Sequence, residues 1–562
     1  MAVSNLASLF YTRSNAIRLD RHLVSLVVLI VAYVPLVTRR DWLQFVDESD
    51  NFLGGYLIAH GEVLYRDYFS HHMPLPYYLA AIPALLGAHD LGGFRAFTSL
   101  VILAFWAYIV VRFWKRIPPA ILSVLILTIA IGCWSFYGNM LLAETIEAYC
   151  LLIVCLSFYA FPDLDFGRAD QLVVALAVFG AAMCTLLSFY PFAILLGYYV
   201  YRRIRTGQFS NVAAFIRQEA PFAALLVIPF VATACLLAVT GSLATFVQDA
   251  FIFNQVYYSK YALAGDPLRV LAVLLRSDYH LLRSDLQPLA WTTFGGFGLI
   301  ANAFAFVLVV RGRGLAAGLT YAAVAATSRG RGVAFHDEPY YLLSIGAVSA
   351  TMIVTGSWLL TAAKDFSRGL ARGNAVRGAL ALGAAVYLLL IAVFYVNLAR
   401  AFPWESRSSN QLTYQQVIQA TTRPGDKIWI VPLNFYDYLM ADRMPATRYA
   451  FYLPWLADSP AINTAILHDL ARSRPPVIIY PQGIGLLTFQ AGTPELLVLD
   501  QYGQWLRQQL SVDYVVADQN DPLLRQVLLR KDIAPDLRRR LRNAGLDHSL
   551  APAPTATLEN GK

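Results

Sequence analysis

The chain has 562 residues, of which 57% are hydrophobic and only 14% charged, with mean hydropathy +0.51. A soluble protein carries nearer about 25% charged residues, so a soluble globular chain is excluded and a polytopic membrane protein is indicated. The net charge of +8 does not point to nucleic acid, because the basic residues sit in short clusters between apolar runs, as they do in membrane loops.

About eleven stretches approach the roughly 20 apolar residues that a helix needs to cross a bilayer. They lie at 22–38, 94–112, 117–133, 141–161, 171–187, 189–201, 220–240, 291–310, 315–327, 339–361 and 377–397. The first has no small-residue cleavage pattern and reads as an uncleaved span instead of a signal peptide. Near Ser188–Pro191 the pattern fits either two helices or one long kinked helix, since proline removes a helix hydrogen bond. With the N-terminus cytoplasmic, the basic loops 112–116, 201–208, 311–314 and 364–377 fall inside. The segments 39–93, 134–140, 241–290 and 328–338, and everything after 398, fall outside. Arg329 and Arg331 break this pattern. Either they hold an anion on the outer face, or the adjacent span is misplaced and they are cytoplasmic.

After about residue 400 the composition changes. Residues 427–432, 476–481 and 513–518 read as short buried strands, with a helix over 461–472. That alternation predicts a small α/β domain. The expected organisation is a transmembrane domain over 1–398, an extracytoplasmic α/β domain over 399–550 and a disordered tail over 551–562. Cys133, Cys150, Cys155, Cys184 and Cys235 lie in or beside apolar runs without metal spacing, and read as small apolar core residues.

Ionisable residues crowd the first exit from the membrane, in FVDESDNFLGGYLIAHGEVLYRDYFSHHMPLPYYLA at 45–80. A carboxylate held there can serve as a general base if partial burial tunes it. Alternatively, Asp47 to Asp50 cap a helix starting near Asn51 and face water. Arg66, His71 and His72 can bind an anion, while the tyrosines suit an interfacial belt.

The order D-E, G-x-x-x-Y-R-D-Y-F and H-x-P-L-x-Y-Y-L after the first span resembles the polyprenyl-phosphate-sugar-dependent glycosyltransferases of the GT-C superfamily. Protein mannosyltransferases and bacterial lipid A aminoarabinose and galacturonic acid transferases belong to that group. The likeness continues through LLAETIEAY (141–149), FIFNQVYYSKY (251–261), GVAFHDEPYYLLSIGA (332–347) and DYLMADRMPATRYAFYLPWL (437–456).

The resemblance implies a GT-C membrane fold of a bacterial-type inner membrane. It implies inverting transfer of a sugar from a polyprenyl-phosphate donor to an envelope lipid, glycan or protein acceptor. Asp47 matches the catalytic acid and would act as general base or acceptor-orienting group, with Glu48 beside it binding or orienting substrate. Glu144 would hold the acceptor or a divalent cation, if one is used. Arg66, His71, His72, Lys260, Arg329, Arg331 and His336 are the expected contacts to the donor phosphate. Tyr65, Tyr257, Tyr258 and Tyr341 are the expected substrate-lining residues. Aminoarabinose transferases show Lys-Pro-Pro where this chain has His72-Met73-Pro74, so the sugar does not carry over. A lipid-linked sugar flippase and a non-catalytic scaffold are the rival readings. Ionisable residues gathered in outer loops instead of at mid-membrane weigh against transport.

Overall fold

The computed structural model describes residues 18–38, 40, 46–117, 119–132, 138–161, 164–205, 211–260, 414–431, 433–480, 494–520 and 524–546. The spans expected at 291–310, 315–327, 339–361 and 377–397 lie outside these residues, as do Arg329, Arg331, His336 and Tyr341.

All seven expected spans among the described residues are helical. They are α1 (Arg18–Thr38), α4 (Leu91–Phe113), α5 (Pro119–Gly132), α6 (Ala143–Ala160), α7 (Arg168–Ala182), α8 (Phe189–Arg205) and α9 (Val212–Val239). Between α1 and α4 stand two shorter helices, α2 (Val46–Ala59) and α3 (Leu75–Leu85). Among the described residues, α4 and α9 are long and apolar enough to cross a membrane unaided. The alternative at Ser188–Pro191 resolves into two helices. The chain leaves α7 at Ala182, makes a 3-10 turn at Leu186–Ser188 and restarts at Phe189. Pro191 falls in the first turn of α8, where its missing N–H has no helical partner to lose. Cys150 and Cys184 are buried as expected, but Cys235 is exposed on α9.

The segment between α1 and α4 is tied down by close packing. The Cβ that Gly55 lacks would stand 2.6 Å from the Ala81 backbone nitrogen, and one at Gly54 would meet the Tyr77 ring. Only glycine allows α2 to lie this near α3. Further along, a short helix at Leu243–Phe246 continues through a π-helical stretch, Val247–Phe253, into Asn254–Val256. Such π turns are rare and occur often at functional sites.

Residues from 414 onward build a five-stranded sheet of order β2-β1-β3-β5-β4. Its strands are β1 (Lys427–Ile430), β2 (Met444–Pro445), β3 (Val477–Ile479), β4 (Tyr514–Val516) and β5 (Val527–Arg530). β1 pairs in parallel with β2 and β3, whereas β5 runs antiparallel to both β3 and β4. The expected strands appear as β1, β3 and β4, and the expected helix as Pro460–Ser473. β2 and β5 are additions that the sequence reading did not place. One helix of this unit, α10 (Phe435–Ala441), lies against α2.

Candidate active site

α2 starts at Val46, not near Asn51, so Asp47 to Asp50 are helical residues and not a cap. Glu48, Ser49, Asp50 and Asn51 are buried, and Asp47 is half-buried. The reading of these acids as solvated surface is therefore overturned. A helix turns about 100° per residue, so residues three apart share a face and adjacent ones do not. Glu48 and Asn51 form one face of α2, while Asp47 and Asp50 form the next.

The first face is a clamp. Arg95 of α4 donates from Nη2 to Glu48 Oε2 at 2.6 Å and from Nε to both carboxylate oxygens. The side chains of Arg95 and Glu48 are 1% and 0% exposed. Glu48 also accepts from the Leu141 backbone N–H at 3.3 Å and from Tyr436 Oη at 3.1 Å. Asn51 Nδ2 donates to the Leu141 carbonyl at 2.8 Å. α2 thus grips both backbone groups of Leu141, one turn ahead of Glu144. Glu144 is itself buried in the first turn of α6. The carboxylate of Glu48 is thus fully engaged and ties together three segments, at Arg95, Leu141 and Tyr436. The Arg95 side of the clamp carried no signal in the sequence, because the partners are 47 positions apart.

The second face meets the YRDYFSHH loop. Tyr68 and Tyr77 donate their hydroxyls to the two oxygens of Asp50, and Ser70 Oγ shares a bond with Tyr77 Oη at 2.7 Å. Burial pushes the Asp50 carboxyl up to about 6, the two tyrosine bonds opposing only part of that rise. Tyr65 is fully buried with a φ of 68° and sends its hydroxyl to the His72 carbonyl at 2.8 Å. A non-glycine residue in that left-handed region costs about 1 kcal/mol or more and persists where the surroundings hold it. Tyr65 therefore braces the histidine turn.

His71 is buried beside His72, with ring centroids 4.0 Å apart. Tyr258 stands 4.9 Å away, and Phe253, Phe451 and Trp455 just beyond 6 Å. Asn254 Nδ2 donates to the His71 carbonyl at 2.7 Å. The histidine pair consequently lies where the loop between α2 and α3, the π-helical segment and the C-terminal sheet unit meet. Tyr258 joins this cluster directly, and Tyr257 packs at 5.5 Å on Phe253.

Two of the expected phosphate cations are engaged elsewhere. Arg66 is half-exposed and forks onto its neighbour Asp67, at 2.7 Å from Nη2. Lys260 Nζ pairs with Asp458 at 2.6 Å. A cation absent from the expected set packs on Phe69, whose ring centroid is 6.4 Å from that of His71. Arg448 bonds Asp249 and lies over the rings of Phe69 and Tyr449. Its carbonyl accepts from the Phe69 N–H at 2.9 Å. Its place in the Arg443-Met-Pro-Ala-Thr-Arg448-Tyr449 run was the sequence signal for it. Among the described residues no three His, Cys, Asp or Glu side chains converge as ligands for one ion.

No family model matches the sequence, and no curated protein does. Solved structures do match. ArnT from Cupriavidus metallidurans, bound to undecaprenyl phosphate, aligns over 90% of this chain and 97% of its own, with TM-score 0.52 and 12% identity. The archaeal oligosaccharyltransferase AglB from Archaeoglobus fulgidus, in complex with an inhibitory peptide and a dolichol-phosphate, aligns over 81% of this chain and 69% of its own. Its TM-score is 0.46, again at 12% identity. The likeness to ArnT shows the fold: this chain has the GT-C fold, a helical membrane body carrying a C-terminal domain.

Proposed function

We propose that the protein is an inverting glycosyltransferase that moves a sugar from a polyprenyl-phosphate donor to an extracytoplasmic lipid, glycan or protein acceptor. The observation that carries this reading is the state of α2. Its Glu48 face is locked to Arg95 and Leu141, while Asp47, one position earlier, stays half-buried on another face. A carboxylate held rigidly at the edge of a dry site is what a general base requires. The GT-C fold, and the undecaprenyl phosphate bound by ArnT, support a lipid-phosphate donor.

In this reaction Asp47 takes the proton of the acceptor hydroxyl. The acceptor oxygen forms a bond to the anomeric carbon from the face opposite the leaving group. The bond between that carbon and the phosphate oxygen breaks, and polyprenyl phosphate leaves with the electron pair. His71 and His72, with Arg329, Arg331 and His336 from the later outer segment, are assigned to the developing phosphate charge. Tyr65, Tyr257, Tyr258 and Tyr341 line the substrate, and Glu144 holds the acceptor. About eleven spans in a bacterial-type inner membrane, with the N-terminus inside and the sheet unit outside, complete the reading.

The test is transfer of radiolabelled sugar from a panel of polyprenyl-phosphate donors to an envelope extract by the purified full-length protein. Asp47→Asn is expected to lower turnover by about 10²- to 10⁴-fold, the usual contribution of a general base. Wild-type protein that moves labelled lipid across vesicles but transfers no sugar, with Asp47→Asn behaving identically, would overturn the proposal in favour of a flippase.

A further inference from the structure

The two ends of α4 differ in chemistry. Arg95, near its start, belongs to the buried clamp on Glu48. Seventeen residues further on, at about 1.5 Å per residue, Arg112 stands roughly 25 Å away along the helix. That distance approaches the hydrocarbon thickness of a bilayer, about 30 Å. The far end of α4 therefore sits at the membrane face opposite the candidate active site.

At that far end a cavity of about 790 Å³ opens among Tyr108, Arg112, Trp114, Lys115 and Arg116. Its cations are held unequally. Arg112 pairs with Asp170 of α7. Arg116 lies 3.9 Å from the centroid of the Phe161 ring and donates from Nη1 to the Ala160 carbonyl at 3.3 Å. The Lys115 ammonium stands 5.7 Å from the centroid of the Trp114 ring and has no carboxylate partner among the described residues. Among the described residues three cations face one carboxylate there, which leaves an excess of positive charge. Beside it the surface of α4 is apolar, with Val111 71% exposed and Leu100 56% exposed. An apolar wall running up to a basic, aromatic-rimmed hollow at a membrane face matches a molecule with acyl chains and an anionic head.

We propose that this cavity binds the headgroup of an anionic diacyl phospholipid, with the phosphate on Lys115 and Arg116 and the acyl chains along the exposed face of α4. The site is separate from the donor site: it lies at the other membrane face and shares no residue with the clamp. Its occupation would anchor the α4–α7 contact that Arg112 and Asp170 make.

The proposal is tested on the full-length protein in detergent, titrated with phosphatidylglycerol or phosphatidylcholine and read by native mass spectrometry. Each basic residue near a headgroup contributes on the order of a fivefold factor. Phosphatidylglycerol should therefore bind preferentially, and K115Q/R116Q should weaken its binding about 30-fold with phosphatidylcholine unaffected. Equal retention of the two lipids, or equal binding by wild type and variant, would overturn the site. Displacement of the lipid by millimolar inorganic phosphate would assign the cavity to a soluble anion instead. As a second reading independent of the variant's folding, a photoreactive phosphatidylglycerol should crosslink wild-type protein within residues 107–116. Crosslinks confined to other segments would sink the idea.

Discussion

At the scale of single residues, the buried charges near the first membrane exit decide what can be changed. Removing one partner of a fully buried ion pair strands the other and costs about 3–5 kcal/mol. Arg95→Met should therefore destabilise the protein by that amount in thermal unfolding. Adding Glu48→Gln should recover part of the loss, because Gln still accepts from the Leu141 N–H while carrying no charge. A double variant no more stable than Arg95→Met would show that the pair does not hold the clamp. Asp50 behaves in the opposite sense. Its carboxyl ionises at about 6 in the folded chain against an ordinary 3.8, so between those values the folded state binds the extra proton. Stability from this group is present below about pH 4 and is lost as pH rises through about 6, by about 2–3 kcal/mol. Asp50→Asn should flatten that part of the pH–stability curve; an unchanged slope would mean that Asp50 does not titrate there.

At the scale of elements, α2 acts as a splint whose faces are each committed to a different neighbour. The glycine pair lets α3 approach, the Glu48–Asn51 edge holds the start of α6, and Tyr56 at the far end bonds Asp442 of the C-terminal unit. The helices themselves are readable in the sequence because long apolar runs leave the backbone no partner but its own. What they touch is not readable, since Arg95, Leu141 and Tyr436 reach Glu48 from positions that no local pattern connects. β2 escaped notice for a related reason: two residues carry no alternation, and its pairing with β1 at Lys427↔Met444 comes from tertiary placement alone. β5 has alternating burial, but its antiparallel run beside β3 departs from the simple strand–helix alternation expected. Gly55→Ala tests the splint. A Cβ at this position would press on the backbone of α3, which cannot rotate away as a side chain would. The variant should lose about 1–3 kcal/mol of stability, whereas Gly61→Ala, in an open turn with φ 89°, should show only backbone strain and leave the α2–α3 packing intact.

For the whole molecule, the contacts of the sheet unit with the membrane body combine aromatic packing with specific polar bonds. Tyr436 reaches Glu48, Arg448 reaches Asp249, and Lys260 reaches Asp458. These bonds place the C-terminal unit over the clamp end of α4. If α4 crosses the bilayer, its two ends must lie in different compartments, and the sheet unit must share a compartment with Arg95. The basic cluster at 112–116 is then expected inside, from the distribution of Lys and Arg between loops. Single cysteines probe this directly. His468 on the sheet unit has a side chain 74% exposed, and Lys115 is exposed at the far end of α4. In a background lacking the native cysteines, exposed Cys235 above all, a membrane-impermeant maleimide applied to intact cells should label His468→Cys. It should label Lys115→Cys only after the membrane is opened. Labelling of both from the same side would contradict a spanning α4. It would also remove the physical separation between the candidate active site and the basic cavity.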